Sequence, residues 1–190
     1  FSGGNPTLFR DTLTFKNTDV LCEVEFEKAA FNKGVHFIDR RFKKIMKGHE
    51  STLDGGLAIF NSQINGLSMV SSQFRGNISI SGSNVENVLG FQNCSFLGTL
   101  ICSGSQFQRA HFMNTNFYNR IEFSNCEFHK SCNFGKAKIE KGISLESCVF
   151  HGPANFGESS LKGENFVRKT EFFQDVSFTK TISTGTIVFD

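Results

Sequence analysis

Residues 112–161 read FMNTN-FYNRIE-FSNCE-FHKSCN-FGKAK-IEKGIS-LESCV-FHGPAN-FGESS-L when a break is placed before each large apolar residue. The segments alternate between five and six residues, so the underlying unit has eleven residues and two apolar centres. The unit extends along nearly the whole chain, with single-residue contractions near residues 59–74 and 102–117. Because so short a unit cannot bury its apolar side alone, we expect neighbouring units to stack into a solenoid.

The positions around the apolar centres predict short strands joined by corners. We name the two series of centres A, which includes Phe117 and Phe128, and B, which includes Phe112 and Phe123. The residue two positions before a B centre is usually apolar, an alternation typical of a strand with one buried face. The residue two positions before an A centre is usually small. Two positions after an A centre glycine or asparagine recurs, which indicates a corner with positive φ.

Two such units make one coil of about 22 residues with four sides. At a rise of about 4.8 Å per coil, the chain makes about eight to nine coils. We therefore expect an all-β, parallel β-helix (a solenoid) that forms a single domain over residues 1–190, with an irregular coil near residues 40–52. Spacings of three and four residues do not recur over any long window, which argues against helices.

Three segments resemble the pentapeptide-repeat motif, which has a small residue, a polar residue, Leu or Phe, a variable residue and often Gly: residues 72–76 (SQFRG), 94–98 (CSFLG) and 154–158 (ANFGE). The resemblance covers nearly the whole chain and implies a right-handed quadrilateral β-helix. The chain is similar to a Phe-rich branch of the family in which steps of five and six alternate. Pentapeptide-repeat proteins serve many purposes, so the resemblance implies a fold more than a function.

Composition narrows the classes of function. With 20 basic and 18 acidic residues the formal net charge is +2, which is the signature of neither a nucleic-acid-binding nor a membrane-binding protein. No apolar run is long enough to span a bilayer. No signal peptide is visible, although the chain starts at Phe1, and we expect a cytoplasmic protein. We also expect the natural chain to continue past Asp190, or this end to be covered, because bare solenoid ends favour association.

Five of the six cysteines predict buried free thiols. Cys94, Cys126, Cys132 and Cys148 occupy inward slots that small or aliphatic residues fill elsewhere, and Cys102 is a B centre. Cys126 and Cys148 should lie in adjacent coils, where parallel side-chain directions disfavour a disulfide. No C-x-x-C spacing occurs, so we expect no zinc site at the cysteines.

The segment from Arg40 to His49 departs most from the repeat. Arg40 occupies a small-residue slot, and Gly48 leaves a B slot without a side chain, which Met46 is long enough to fill in part. We expect a bulged, exposed coil that is either a solvated face or a docking site for an anionic group. The positive charges of this basic segment are Arg40, Arg41, Lys43, Lys44 and Lys47.

Other outward residues are candidates for contact with a partner or with a second copy. Apolar side chains that should stack in adjacent coils are candidates for binding a protein partner: Ile38 with Phe60, and Leu97 with Tyr118. A flat strip near the carboxyl end is either an amide ladder that supports the solenoid or a self-association surface: Asn133, Gly135, Asn155 and Gly157. His129 and His151 share a column, but no third ligand is evident, and we expect no metal site there.

The sequence favours a non-catalytic scaffold or protein–protein interaction module. We find no nucleophile elbow, phosphate-binding glycine loop or convincing carboxylate pair, so we expect no catalytic residue and no cofactor. The expected partners are another protein or a second copy of the chain, and not nucleic acid. Two alternatives stay open. A DNA-mimicking regulator of a topoisomerase, which the resemblance admits, would need a strongly acidic surface. A carbohydrate-active β-helix enzyme would need longer, irregular coils with a lateral groove.

Overall fold

Thirty short strands wind the described part of the chain into a four-sided parallel β-solenoid, which confirms the predicted fold class. A computed structural model describes residues 7–17 and 19–190. The single domain predicted over residues 1–190 also includes residues 1–6 and 18, which lie outside this description. We number the four faces of each coil 1 to 4 in chain order. In the described residues no helix is present that is long and apolar enough to cross a membrane.

Faces 1 and 2 each carry nine parallel strands, so that eight steps of about 4.8 Å make each stack about 38 Å long. The strands of face 1 are β1 (Thr7–Phe9), β4 (Ala29–Phe31), β7 (Thr52–Leu53), β10 (Gln73–Phe74), β13 (Ser95–Phe96), β17 (Asn116–Phe117), β21 (Lys138–Ile139), β25 (Ser160–Leu161) and β29 (Ile182–Ser183). The strands of face 2 are β2 (Leu13–Lys16), β5 (Val35–Ile38), β8 (Leu57–Phe60), β11 (Ile78–Ser81), β14 (Leu100–Ser103), β18 (Ile121–Ser124), β22 (Ile143–Glu146), β26 (Glu164–Arg168) and β30 (Thr186–Phe189).

Faces 3 and 4 share one branched sheet. Three long strands bend around the corner and serve both faces: β6 (Arg41–His49), β9 (Gln63–Val70) and β12 (Asn84–Gln92). After β12 the sheet divides. Face 3 continues as β15 (Gln106–Phe107), β19 (Glu127–Phe128), β23 (Val149–Phe150) and β27 (Glu171–Phe172). Face 4 begins with β3 (Val24–Glu27) and continues after β12 as β16 (Ala110–His111), β20 (Cys132–Asn133), β24 (Ala154–Asn155) and β28 (Val176–Ser177).

The two contractions of the repeat fall at the corner between faces 3 and 4. Strand β9 has a single residue, Asn65, between Ile64 and Gly66, where the neighbouring strands β6 and β12 have two residues at the same place. The second contraction follows Phe107, after which Ala110 pairs with Leu89 of β12. A bulged corner therefore absorbs each missing residue, and the strands on either side keep their inward side chains in register.

The apolar centres form a continuous core of stacked rings. Within a face, rings of adjacent coils lie nearly parallel: Phe128 and Phe150 have centroids 4.4 Å apart and planes 9° apart. Between faces the rings meet edge to face, as Phe123 does with Phe128 at 5.4 Å and 72°. Both arrangements are favoured for aromatic pairs. In a square coil, rings of adjacent coils stack in parallel along each face, and rings of adjacent faces meet edge to face across each corner. Phenylalanine can make both contacts, which explains its repeated use.

Hydroxyl groups in the small slots before the A centres bond the corners of successive coils. Ser83 Oγ lies 2.9 Å from the carbonyl oxygen of Ser81, to which it donates, and accepts the backbone N–H of Ser62 at 3.1 Å. The backbone N–H of Ser83 donates in turn to Ser105 Oγ at 3.1 Å. Because a buried N–H without a partner is costly, the hydroxyl ladder stabilises the corners. Serine is therefore preferred at this slot because its hydroxyl group forms these hydrogen bonds, and also because its side chain is small.

The regular left-handed corner lies two residues after the B centres. The repeated left-handed corner predicted after the A centres is not general, because among the described residues a positive φ occurs there only at some glycines: Gly34, Gly56, Gly142 and Gly163. Asn93, Asn114 and Asn125 have φ values of 55°, 54° and 52° at this position. Lysine, glutamate and serine occupy it in other coils, for example Lys136 at 60°. The asparagines at these positions were the sequence signal, since asparagine tolerates this region better than other non-glycine residues.

The glycines after the A centres instead allow adjacent coils to approach closely. A Cβ atom at Gly98 would lie 2.3 Å from the carbonyl oxygen of Gly76, and one at Gly152 would lie 2.1 Å from that of Lys130. Gly163 is an exception that also has a positive φ, of 68°. The repeated glycine is therefore explained by space at the corner, where two backbones meet.

Candidate interaction surfaces

Arg40 is buried and does not belong to an exposed basic surface, contrary to the prediction. Its side chain fills the small-residue slot, and the residue is only 7% exposed. The guanidinium Nη2 donates to Asn17 Oδ1 at 2.9 Å, and Nε donates to the carbonyl oxygen of Ile38. The backbone N–H bonds to Ser62 Oγ at 3.2 Å, as the hydroxyl ladder requires. Arg40 is thus a structural residue that satisfies polar groups within the solenoid.

The rest of the basic segment is only partly available for an anion. Lys47 forms ion pairs with Glu23 and, at 3.6 Å, with Glu25. The hydrogen bond from Lys47 to Glu23 and the charge of that carboxylate raise the pKa of Lys47. Arg41, which is exposed, lines a shallow depression that also contains two acidic side chains, Asp19 and Asp39. Two lysines on the bulge of β6 complete the segment, Lys43 and Lys44.

Met69 of the next coil, not Met46, fills the slot that Gly48 leaves empty. A Cβ atom at Gly48 would lie 2.3 Å from Met69 Sδ. Met46 is fully buried in its own position, where it pairs with Val24 and Leu67. The irregular coil predicted near residues 40–52 contains β6, which has one residue more at the corner than its partner β9. Strand β12, which pairs with β9 on the other side, has the same extra residue. The irregularity is thus a property of three successive coils.

Ile38 and Phe60 lie side by side on face 2, as expected from their spacing. They are paired residues of β5 and β8, and Phe60 is 38% exposed while Ile38 is half-buried. The next two residues of this column are Ser81 and Ser103, whose hydroxyl oxygens lie 3.0 Å apart in a hydrogen bond. The apolar surface therefore ends after two coils.

Leu97 and Tyr118 form a more exposed apolar pair on face 1. Each follows an A centre, and the two residues occupy equivalent positions of adjacent coils, because Leu97 donates its N–H to Phe74 and Tyr118 donates to Phe96. Leu97 is 43% and Tyr118 is 52% exposed. Together with Gln73 and Ser95 they line a shallow depression.

Ion pairs border this apolar pair on both sides along the same column. On one side Arg75 lies 3.2 Å from Asp54, and on the other Lys162 lies 2.9 Å from Glu140. These charges neutralise each other within the column. The result is an apolar centre with a polar rim, an arrangement found in the recognition surfaces of protein interfaces.

The flat strip near the carboxyl end is an amide ladder on face 4. Asn155 Nδ2 donates to Asn133 Oδ1 at 3.2 Å. The same oxygen of Asn133 also accepts the backbone N–H of Gly135 at 2.8 Å. Asn155 Oδ1 accepts the N–H of Gly157 at 2.8 Å in the same way. The expected amide hydrogen bond between adjacent coils is therefore present, and part of the hydrogen-bonding capacity of the strip is used internally.

Glu127 joins His129 and His151 on face 3, so the structure supplies the third potential ligand that the sequence analysis did not find. The two imidazole rings are parallel within 3°, with centroids 5.6 Å apart. Glu127 Oε1 lies 2.7 Å from His151 Nε2 and 3.7 Å from His129 Nδ1. In the sequence Glu127 precedes His129 by two residues, the spacing at which two strand residues point to the same side.

The cysteines are free, and the burial predicted for five of them is confirmed. Cys94, Cys126, Cys132 and Cys148 are buried, as is Cys102, whereas Cys22 is exposed. Burial raises the pKa of Cys94 to about 11. The hydrogen bond of the Cys126 thiol to Cys148 in the next coil, together with burial, also raises the pKa of Cys126. Thiols with raised pKa values are poor nucleophiles at neutral pH.

The candidate residues do not converge on one site. The apolar pair lies on face 1, Ile38 and Phe60 on face 2, the histidine cluster on face 3 and the amide ladder on face 4. The basic segment follows the corner between faces 3 and 4. Each surface must therefore act independently.

Comparisons with known proteins give one weak structural similarity. No protein-family model and no curated protein matches the chain. Among solved structures the chain is similar to a trypsin-treated variant of QnrB1, described as a plasmid-mediated fluoroquinolone resistance protein, at 10% sequence identity over 90% of this chain and 91% of that chain. The TM-score of this match is 0.20, so it supports no argument about the fold or the function of this chain.

Proposed function

We propose that this chain is a non-catalytic interaction module of the pentapeptide-repeat type, and that face 1 binds a protein partner through Leu97 and Tyr118. The observation that carries this proposal is the column on face 1, in which an exposed apolar pair is bordered by the ion pairs Asp54–Arg75 and Glu140–Lys162. Tyrosine is one of the residues that most often dominate binding energy at interfaces.

The chemistry of this surface supports a partner with an apolar contact and a polar rim. A complementary protein would place an apolar side chain against Leu97 and Tyr118 and hydrogen-bonding groups beside Gln73 and Ser95, which line the same depression. The neutralised charges along the column favour an uncharged contact over a strongly acidic or basic one. The net charge of +2 argues against the alternative of a DNA mimic, which needs an acidic surface.

A photo-crosslinking amino acid at position 118 tests the proposal in cells that produce the protein naturally. We expect a discrete crosslinked protein that competes with unmodified solenoid. The matched control places the same group at Ser79, an outward position on face 2. The captured protein is then purified and its affinity is measured directly.

Direct binding to the double variant Leu97→Ser/Tyr118→Ser decides the outcome. We expect a large loss of affinity for this variant and none for Phe60→Ser on face 2. The proposal is wrong if crosslinking at position 118 gives no discrete product, or if the double variant binds the captured protein as tightly as the wild type does.

Self-association through the strip on face 4 stays a prediction, and the structure changes its test. A Cβ atom at Gly157 would lie 2.9 Å from Asn155 Oδ1, so Gly157→Arg would disturb the amide ladder itself. Thr179→Arg is a cleaner variant, because Thr179 is exposed and borders the same surface. Light scattering over a concentration series should show a dimer that this variant weakens, and a strict monomer for the wild type would contradict the prediction.

A further inference from the structure

The cluster on face 3 combines three side chains that are typical metal ligands. His151 Nε2 and His129 Nδ1 lie 2.7 Å and 3.7 Å from the same carboxylate oxygen, Glu127 Oε1. Each residue offers one ligand atom, and these three atoms all lie within 4.8 Å of one another. Neighbouring ligands of a tetrahedral zinc ion, at bond lengths of about 2.0–2.2 Å, lie about 3.3 Å apart. The cluster is therefore close to the dimensions of a coordination sphere.

The repeat itself fixes the backbone of this cluster. His129 donates its N–H to Phe107, and His151 donates to Phe128, each at 2.9 Å, so the two histidines occupy the same position of adjacent coils. Strands β19 and β23 are paired in register, which holds Glu127 on the same outward side. Glu127 projects from β19, and each histidine directly follows its strand, where the hydrogen bond to the preceding coil fixes its backbone.

Neighbouring residues orient the ligands. Gln106 Nε2 donates to Glu127 Oε2 at 3.3 Å and leaves Oε1 for the two histidines. The Phe173 ring stacks on His151 with centroids 5.4 Å apart and planes 11° apart. A hydrogen-bonding partner that holds a ligating carboxylate in place, as Gln106 does here, is typical of metal sites.

We propose that Glu127, His129 and His151 bind a divalent transition-metal ion, with zinc as the best-suited ion. Two imidazole nitrogens and one carboxylate oxygen suit zinc, copper or nickel, and not magnesium or calcium, which prefer oxygen ligands throughout. Three protein ligands leave at least one coordination position open. The three side chains are about one-third to two-fifths exposed, so they adjust around the ion and the open position faces solvent.

Such an ion would connect two adjacent coils. Glu127 and His129 belong to one coil and His151 to the next, so a bound ion links the two coils. Because the three ligands come together only in the folded chain, the ion stabilises the folded state and not the unfolded state. This site does not depend on the protein-binding surface proposed for face 1, because the two lie on different faces.

Isothermal titration of zinc chloride into metal-free protein tests the proposal. The protein carries no polyhistidine tag and has the exposed Cys22 replaced by serine, so that neither competes for the ion. We expect one ion bound per chain and a rise in melting temperature with zinc. Cobalt(II) as a spectroscopic probe should show nitrogen and oxygen ligands, without the intense charge-transfer band of a thiolate.

Ligand and control variants separate this site from other binding. Gln106→Ala removes a partner that orients a ligand and should weaken zinc binding by a factor of about ten. His151→Ala and His129→Ala each remove a ligand and should weaken zinc binding by more than this factor. His111→Ala, on face 4 beside Ser131, should bind as the wild type does.

Melting curves in the presence of a chelator show whether each variant remains folded. Two results would overturn the proposal: zinc that neither binds stoichiometrically nor raises the melting temperature, or stoichiometric binding that is unchanged in His129→Ala and His151→Ala. In either case the cluster is a hydrogen-bonded surface pair of histidines with a carboxylate.

Discussion

Phe123 illustrates how single residues stabilise the solenoid. Its ring is buried and meets Phe128 edge to face at 5.4 Å and Phe134 at 6.4 Å. Phe134 in turn stacks on Phe112 at 4.6 Å and on Phe156 at 5.2 Å. The Phe123 ring therefore contacts rings of its own coil, and through Phe134 it is linked to the coils on both sides. The neighbouring rings are held in these stacks, so they cannot readily move to fill a cavity left at position 123.

Replacing Phe123 or Phe134 by alanine should lower the free energy of unfolding by about 3–5 kcal/mol, because the void lies in a continuous stack. Replacing the exposed Lys138 on face 1 should change it by less than about 0.5 kcal/mol. Equilibrium denaturation of the three variants provides the comparison. Equal losses for the inward and outward positions would contradict the assignment of phenylalanines to the core.

The hydroxyl ladder gives a second prediction at the level of single residues. Ser83→Ala leaves the buried N–H of Ser62 without its partner at 3.1 Å, which should cost about 1–3 kcal/mol of stability. Ser83→Thr keeps the hydroxyl and should recover most of this loss, since Thr115 occupies the same slot in another coil. Thermal melts of the two variants distinguish hydrogen bonding from size, because a purely steric slot would accept alanine better than threonine.

At the level of strands and corners, two different constraints alternate around each coil. The corner after a B centre needs a left-handed residue, as at Asn125, where φ is 52°. The corner after an A centre needs close approach of two backbones, as at Gly152. Apart from the three long strands β6, β9 and β12, the strands between these corners have only two to five residues and contribute few hydrogen bonds each. Corner geometry therefore helps to determine whether successive coils stay in register.

Adding one methyl group at Gly152 tests the second constraint. The Cβ atom of Gly152→Ala would lie 2.1 Å from the carbonyl oxygen of Lys130, so the corner must shift, at a cost of about 1–3 kcal/mol. Gly90→Ala is the matched control, because the nearest atom to its Cβ lies at an ordinary 3.5 Å. If both substitutions lower the melting temperature equally, close approach does not explain the glycine at this corner.

At the level of the whole molecule, the strand pairs of the described residues all join adjacent coils. Stability in such a solenoid is the sum of coil stabilities and of the interfaces between adjacent coils. The thiols report on this arrangement, since the five buried cysteines lie in the inner part of the stack while Cys22 is exposed near its beginning.

Thiol labelling measures how completely the coils are closed. In the native state we expect one fast-reacting thiol, Cys22, and five that react slowly, because burial protects them and raises the pKa of Cys94 to about 11. After denaturation all six should react. Rapid labelling of more than one thiol in the native protein would contradict the burial of the cysteines, and a reductant-sensitive loss of two thiols would contradict their free state.

The eleven-residue period by itself determined the class of fold, the inward or outward direction of most side chains and the two contractions. These follow from the sequence because a parallel coil places every residue beside the one about 22 positions away, so that a local pattern repeats as a spatial one. The vertical pairing of Asn133 with Asn155, and of Leu97 with Tyr118, was predictable for the same reason.

Only the tertiary structure decided the features that depend on how two coils fit at a corner. The burial of Arg40, the position of Met69 over Gly48 and the contact of Glu127 with His151 are of this kind. Each results from side-chain reach across the ladder and from local bulge geometry, neither of which the repeat specifies. A periodic sequence fixes which residues are neighbours, whereas the side-chain conformations that fill the space between coils are chosen only when the neighbouring coil is present.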